Sequence, residues 1–199
     1  MHILVPRRCA LRNIDHLPNA ITISRVALVP VLILLLRNHD YAHALIVFAI
    51  AGFSDALDGF LAKRLGSVSQ LGAVLDPLAD KILLSSAYVM LALLDRIPFW
   101  LVLLVVFRDM LIIGGYLVYA SLVGAVQMRP SVLSKLNTVI QILLVALVLT
   151  RAAYGWPSAY AAAALVLVTA ATTAASGLHY VWSWLIVRDV EAVAEAGHD

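Results

Sequence analysis

The sequence predicts an all-α integral membrane protein, a bundle of six transmembrane helices with a short N-terminal interfacial segment. Three observations carry that reading. Of 199 residues, 63% are hydrophobic and only 13% charged, with a mean hydropathy of +0.96, a balance that belongs to membrane-embedded chains. The apolar runs are continuous, whereas a lipid-facing barrel strand alternates polar and apolar residues. Six such runs can be read, each long enough to supply the roughly 20 residues a helix needs to cross the hydrocarbon core.

The first span, 18–37, opens in Leu17-Pro-Asn-Ala-Ile-Thr-Ile-Ser-Arg25 and the second covers 41–62. The third and fourth are expected at 72–94 and 98–122, the fifth at 131–150. The sixth, 158–187, is long enough to tilt or to extend past the bilayer. Connections are short and leave no room for a soluble domain. The expected organisation is a juxtamembrane segment at 1–17, one helical domain at 18–187, and a solvated acidic tail at 188–199. Arg7, Arg8 and Arg12 suit a short helix lying along the membrane surface, with a disordered tail as the alternative. The first residues lack the long apolar run of a signal peptide, so the N-terminus is expected to be retained. Cys9, the single cysteine, excludes an intrachain disulfide. No internal repeat is visible beyond the alanine-rich 161–164. Trp100, Trp156, Trp182 and Trp184 near span ends read as interfacial anchors. His179 in the last span reads as a hydrogen-bonded packing residue.

Orientation follows from lysine and arginine in the short loops. With the N-terminus inside, the cytoplasmic ends collect Arg7, Arg8, Arg12, Lys63, Arg64, Arg129, Lys135 and Arg188, against Arg37, Arg96 and Arg151 outside. Both termini are therefore expected in the cytoplasm, on the face where anionic lipids and nucleotides are met. In a bacterium this would be the inner membrane. No nucleic-acid partner is expected.

The informative feature is acidic. Asp55 and Asp58 lie near the cytoplasmic end of the second span, Asp76 and Asp80 near the cytoplasmic start of the third. One carboxylate at the centre of a membrane helix costs roughly 2.5–3.5 kcal/mol, so clustered acids call for cations. Spacings of three and four residues put each pair on one helix face. A hairpin through the short 63–71 loop would bring the four together just inside the inner leaflet. Carboxylates without cysteine or nearby histidine suit hard divalent ions such as Mg²⁺, Mn²⁺ or Ca²⁺. Four of them suit a pair of ions, the arrangement that clamps attacking and leaving oxygens in phosphoryl chemistry. Gly59, Ala62 and Gly72 form a line of small residues that either admits a ligand or packs helices closely. Lys63 and Arg64 could meet phosphate oxygens from the side.

The pattern Asp55-x₂-Asp58-Gly59-x₂-Ala62-Lys63-x₈-Gly72-x₃-Asp76-x₃-Asp80 resembles the signature of the CDP-alcohol phosphotransferase family. All spacings agree. Lys63 stands where the family usually has arginine, which keeps the charge but loses the planar fork that grips phosphate bidentately. The resemblance implies six transmembrane helices, a homodimer, and two divalent cations, Mg²⁺ or Mn²⁺. It implies that Asp55, Asp58 and Asp76 hold the ions with help from Asp80, and that Asp80 is also the general base. Gly59, Ala62, Lys63, Arg64 and Gly72 would take the cytidine nucleotide. The implied reaction is attack of an alcohol on the β-phosphorus of a CDP-linked donor with release of CMP, and the apolar setting suits CDP-diacylglycerol.

For the acceptor, the strings Leu75-Asp-Pro-Leu-Ala-Asp-Lys-Ile-Leu83, Phe107-Arg-Asp109, Ser134-Lys-Leu-Asn-Thr138 with Gln141, and Thr172-Thr-Ala-Ala-Ser176 together resemble the eukaryotic-type cardiolipin synthases of the family. That resemblance implies phosphatidylglycerol as acceptor. The alternative within the family is phosphatidylglycerophosphate synthesis from glycerol 3-phosphate. Lys135 near the start of the fifth span could hold an acceptor phosphate or snorkel to the headgroups. Arg25 could serve the acceptor too or pair with an aspartate, and Arg108, with Asp109 beside it in the fourth span, could shape the acceptor pocket or join an interhelical ion pair. Two other classes compete: a small cation transporter, which would spread its acids through the bilayer depth, and a scaffold that merely binds nucleotide or metal. The acids here gather at one face.

Overall fold

The computed structural model of the chain describes residues 17–65, 70–123 and 132–196, and the side chains of 26–54, 81–115 and 132–182. Among these residues there are six helices, α1 (Leu17–Arg37), α2 (Tyr41–Leu65), α3 (Gln70–Leu93), α4 (Phe99–Val123), α5 (Val132–Tyr154) and α6 (Ala159–Ala196). No strand occurs among the described residues. The helices coincide with the predicted apolar spans to within a few residues, except at the chain's end. There α6 continues to Ala196, through part of the stretch expected as a tail, because Glu191, Ala192, Ala194 and Glu195 are good helix formers.

The chain divides into two units, Met1–Met90 and Leu91–Asp199. In the first, α1 packs against α2. Val29, Leu32 and Leu36 are buried on α1, and Tyr41, Ala44, Phe48 and Ala51 on α2. Steps of three and four residues keep each set on one stripe, and the alanines let the backbones approach. The turn between the helices is closed by backbone bonds. His39 adopts φ +58°, which turns the chain so that Asp40 N–H donates to Leu35 O at 2.9 Å, a helix end in the left-handed style. Asp40 then caps α2, its Oδ1 accepting from the His43 N–H at 3.3 Å and from the His43 ring at 2.9 Å.

In the second unit, α4 and α5 each pack against α6. Leu101, Val102 and Val105 are buried on α4, Leu144, Val145, Val148 and Leu149 on α5, and Val166 on α6. Outward-facing Phe107, Met110, Leu143, Leu167 and Leu178 are each more than half exposed. Meanwhile Arg108, Asn137, Gln141, Thr169, Thr173 and Ser176 are buried. A bundle with polar groups inside and large apolar groups outside suits lipid as its solvent, since water would reverse the pattern. Among the described residues, Val132–Tyr154 and Ala159–Trp182 are long and apolar enough to cross a membrane, and Val26–Arg37, Tyr41–Ser54 and Lys81–Leu93 are shorter apolar helical stretches. The chain is a helical membrane protein. Trp100, Trp156 and Trp182 are exposed, and Trp184 lies outside the described side chains.

Candidate functional site

Two regions carry chemistry. The first is the acidic pattern. Helix α2 runs through positions 55 and 58 and α3 through 76 and 80, so helical spacing at both pairs is realised in the backbone. The side chains of Asp55, Asp58, Gly59, Ala62, Lys63, Arg64, Gly72, Asp76, Asp80 and Arg25 lie outside the described residues. By composition, four carboxylates form an all-oxygen donor set that fits Mg²⁺ or Mn²⁺.

The second region is fully described and lies within the second unit. Arg108, only 4% exposed, is the centre of its upper layer. Nη1 donates to Asp109 Oδ1 at 2.8 Å, and Nη2 donates to Ser134 Oγ of α5 at 2.6 Å and to Ser176 Oγ of α6 at 2.8 Å. Nε reaches the same Ser176 hydroxyl at 3.3 Å. One guanidinium thus joins three helices, a task suited to its fork of fixed donors. A methyl group placed on Gly177 would come 3.7 Å from Arg108 Cγ, so α6 lies in ordinary contact with the arginine stem. The ion pair expected between helices is made, among the described residues, to the next residue of α4. Adjacent residues are the shortest route to neutralisation, and neutral hydroxyls carry the links to α5 and α6.

One turn further along α5, Asn137 forms a second layer. It is fully buried, and its Oδ1 accepts from Thr172 Oγ1 and Thr173 Oγ1, each at 2.9 Å. Its Nδ2 is buried and has no hydrogen-bond partner among the described residues. Gln141, another turn on, donates from Nε2 to Thr173 Oγ1 at 3.4 Å. Thr169 returns its hydroxyl to Leu165 O at 2.7 Å. The seam therefore grades from a charged layer to amide and hydroxyl layers.

Apart from Thr169, these residues come from three of the four strings that carried the acceptor resemblance, those on α4, α5 and α6, and the hydrogen bonds join those three strings. Lys135 is exposed near the start of α5, beside Ser134 in sequence. His179 is also exposed, its ring edge-on to Tyr180 at 6.5 Å between centroids. The sequence reading did not single out Asn137, Thr173 or Ser176 individually. Their signal was present: Ser134, Asn137 and Gln141, like Thr169, Thr173 and Ser176, recur at helical spacing inside apolar spans, which marks an inward polar stripe.

Comparison with known proteins bears on both regions. The family model for CDP-alcohol phosphatidyltransferase matches residues 15–187. The chain is 37% identical over 180 residues to a human cardiolipin synthase (CMP-forming), covering 82% of this chain and 60% of that protein. It is 36% identical over 185 residues to a probable cardiolipin synthase (CMP-forming) of Drosophila melanogaster, covering 85% and 58% respectively. A CDP-diacylglycerol–glycerol-3-phosphate 3-phosphatidyltransferase of Bacillus subtilis is 36% identical over 149 residues, 67% of this chain and 76% of that protein. The chain thus spans less than two thirds of the length of these two cardiolipin synthases.

Proposed function

We infer, because this chain belongs to the CDP-alcohol phosphatidyltransferase family, that it transfers a phosphatidyl group from CDP-diacylglycerol to phosphatidylglycerol, releasing CMP and forming cardiolipin. The observation that carries this reading is the unbroken Asp55–Asp80 spacing pattern inside the matched region. The acceptor follows from the similarity to cardiolipin synthases over most of the chain and from the buried seam built from the acceptor strings. Arg108 is already paired with Asp109, so the seam's buried layers favour hydroxyls and a singly charged phosphodiester over a doubly charged phosphate.

In this reading all six helices span the membrane, both termini and the site face the cytoplasm, and two copies form a homodimer. Asp55, Asp58, Asp76 and Asp80 hold two Mg²⁺ or Mn²⁺ ions. When bound, the ions neutralise the diphosphate and stabilise the leaving oxygen. Gly59, Ala62 and Gly72 leave room for the cytidine, and Lys63 and Arg64 contact its phosphates. Asp80 takes the proton of the acceptor hydroxyl as its oxygen bonds to the β-phosphorus and the bond from that phosphorus to CMP breaks. Lys135 and Arg25 add positive charge on the acceptor side, while Arg108 holds the seam's helices in register. The match to the Bacillus subtilis enzyme supports glycerol 3-phosphate as the alternative acceptor.

The test is metal-dependent turnover. Purified protein stripped of metal and given CDP-diacylglycerol with phosphatidylglycerol should release no CMP until Mg²⁺ or Mn²⁺ is restored. CMP release that survives chelation would contradict the reading.

A further inference from the structure

Asn137 has a polar end that nothing satisfies. Its oxygen is held between the hydroxyls of Thr172 and Thr173, while its nitrogen, equally shielded from water, meets no acceptor. Turning the amide over would not remove the vacancy. Thr172 Oγ1 also lies 3.0 Å from Val168 O, so it can donate there and accept from an amide nitrogen. The carbonyl would then be the orphan. In either setting one end of the amide lacks a partner, although buried polar groups are nearly always paired.

We propose that Asn137 binds the acceptor alcohol, its open end taking the second, non-reacting hydroxyl of a glycerol-type headgroup. This rests on the phosphatidyl-transfer reading above. A hydroxyl both donates and accepts, so it satisfies the amide in either setting, which a phosphate oxygen does not. The position suits entry from the helix end. Ser134, in the Arg108 layer, precedes Asn137 by about 4.5 Å of helix rise, and exposed Lys135 lies between them in sequence. A headgroup entering along the seam would meet the charged layer first and the amide next. Beyond Asn137, Gln141 and Thr173 are already hydrogen-bonded to each other, so the open amide end belongs to Asn137 alone among these buried seam residues.

The experiment compares acceptors that differ by one hydroxyl. Phosphatidylglycerol is tested against phosphatidyl-1,3-propanediol, and glycerol 3-phosphate against 3-hydroxypropyl phosphate, with wild type, Asn137→Leu and Asn137→Gln. For whichever pair the wild type uses, kcat/KM should favour the diol by about tenfold or more, since a site that hydrogen-bonds a hydroxyl rejects the analogue lacking it. Each variant should lose most of that preference while its KM for CDP-diacylglycerol stays unchanged. CMP binding in the presence of Mn²⁺ checks that each variant is folded. A variant that binds CMP and keeps the full preference overturns the proposal, as does loss of CMP binding in both variants, which would assign the amide to the fold. Absence of a wild-type preference for the diol overturns it too. Turnover confined to the glycerol 3-phosphate pair would overturn the acceptor reading of the previous section while leaving the role of Asn137 to be decided within that pair. Absence of turnover with every acceptor would overturn both.

Discussion

Two nitrogens of Arg108 converge on one hydroxyl of Ser176, Nε at 3.3 Å and Nη2 at 2.8 Å. The pair ties α4 to α6, and the same Nη2 ties both to Ser134 of α5. Lysine has the charge but only a single nitrogen, which cannot reach all three partners from one point. Arg108→Lys should therefore lower stability by about 1–3 kcal/mol, read from reversible unfolding in mixed micelles. Stability equal to wild type would show that the fork is not what joins the helices.

How far the sequence disclosed this arrangement differs between the two regions. Helix positions were legible because the apolar runs are long and bounded by short polar turns, and α1 to α5 follow them closely. The end of α6 was not, because its last turns are held by local helix propensity rather than by hydrophobicity. The acidic pattern was legible through spacing alone. For the seam, sequence supplied the strings but not the contacts. The ion pair expected between helices is made within α4 instead, between the adjacent Arg108 and Asp109. That Ser134 and Ser176 carry the links between helices, and that Asn137 keeps an open end, depends on how α5 and α6 turn toward each other. Periodicity fixes a stripe but not the stripe it meets.

At the α1–α2 turn, the His43 side chain, and after it the His43 backbone N–H, donates to the Asp40 carboxylate and holds its pKa below the ordinary 3.8. A carboxylate with a depressed folded pKa contributes stability that is present above the unfolded value and lost as pH falls through the folded one. Asp40→Asn keeps an oxygen to cap α2 but has no charge to lose. The wild type should be the more stable above pH 4, with its lead fading on acidification below the ordinary carboxylate value. A lead that grew on acidification would contradict the assignment. Thermal unfolding across that range makes the comparison.

Asp95 ends α3 with φ +55°, and Arg96 N–H closes the turn on Leu91 O at 2.9 Å. A side chain at a left-handed helix end is strained where glycine is not. Asp95→Gly should stabilise the protein by about 0.5–1 kcal/mol. Destabilisation would mean that the carboxylate makes a contact worth more than the relief.

If Asp80 is the base, Asp80→Asn should bind CMP with Mn²⁺ as the wild type does while turnover falls by about 10²–10⁴-fold. Isothermal titration gives the first quantity and CMP release the second. Turnover within a few-fold of wild type would remove Asp80 from the base position, and loss of CMP binding would make it chiefly an ion ligand.

The central claim is that this chain moves a phosphatidyl group onto a lipid alcohol, and following that group tests it most directly. CDP-diacylglycerol labelled in its phosphatidyl half is supplied with Mn²⁺ and either phosphatidylglycerol or glycerol 3-phosphate. The expected result is label in cardiolipin, in amounts equal to the CMP released, when phosphatidylglycerol is the acceptor. Label that enters a product only with glycerol 3-phosphate, or never leaves the donor, would contradict it.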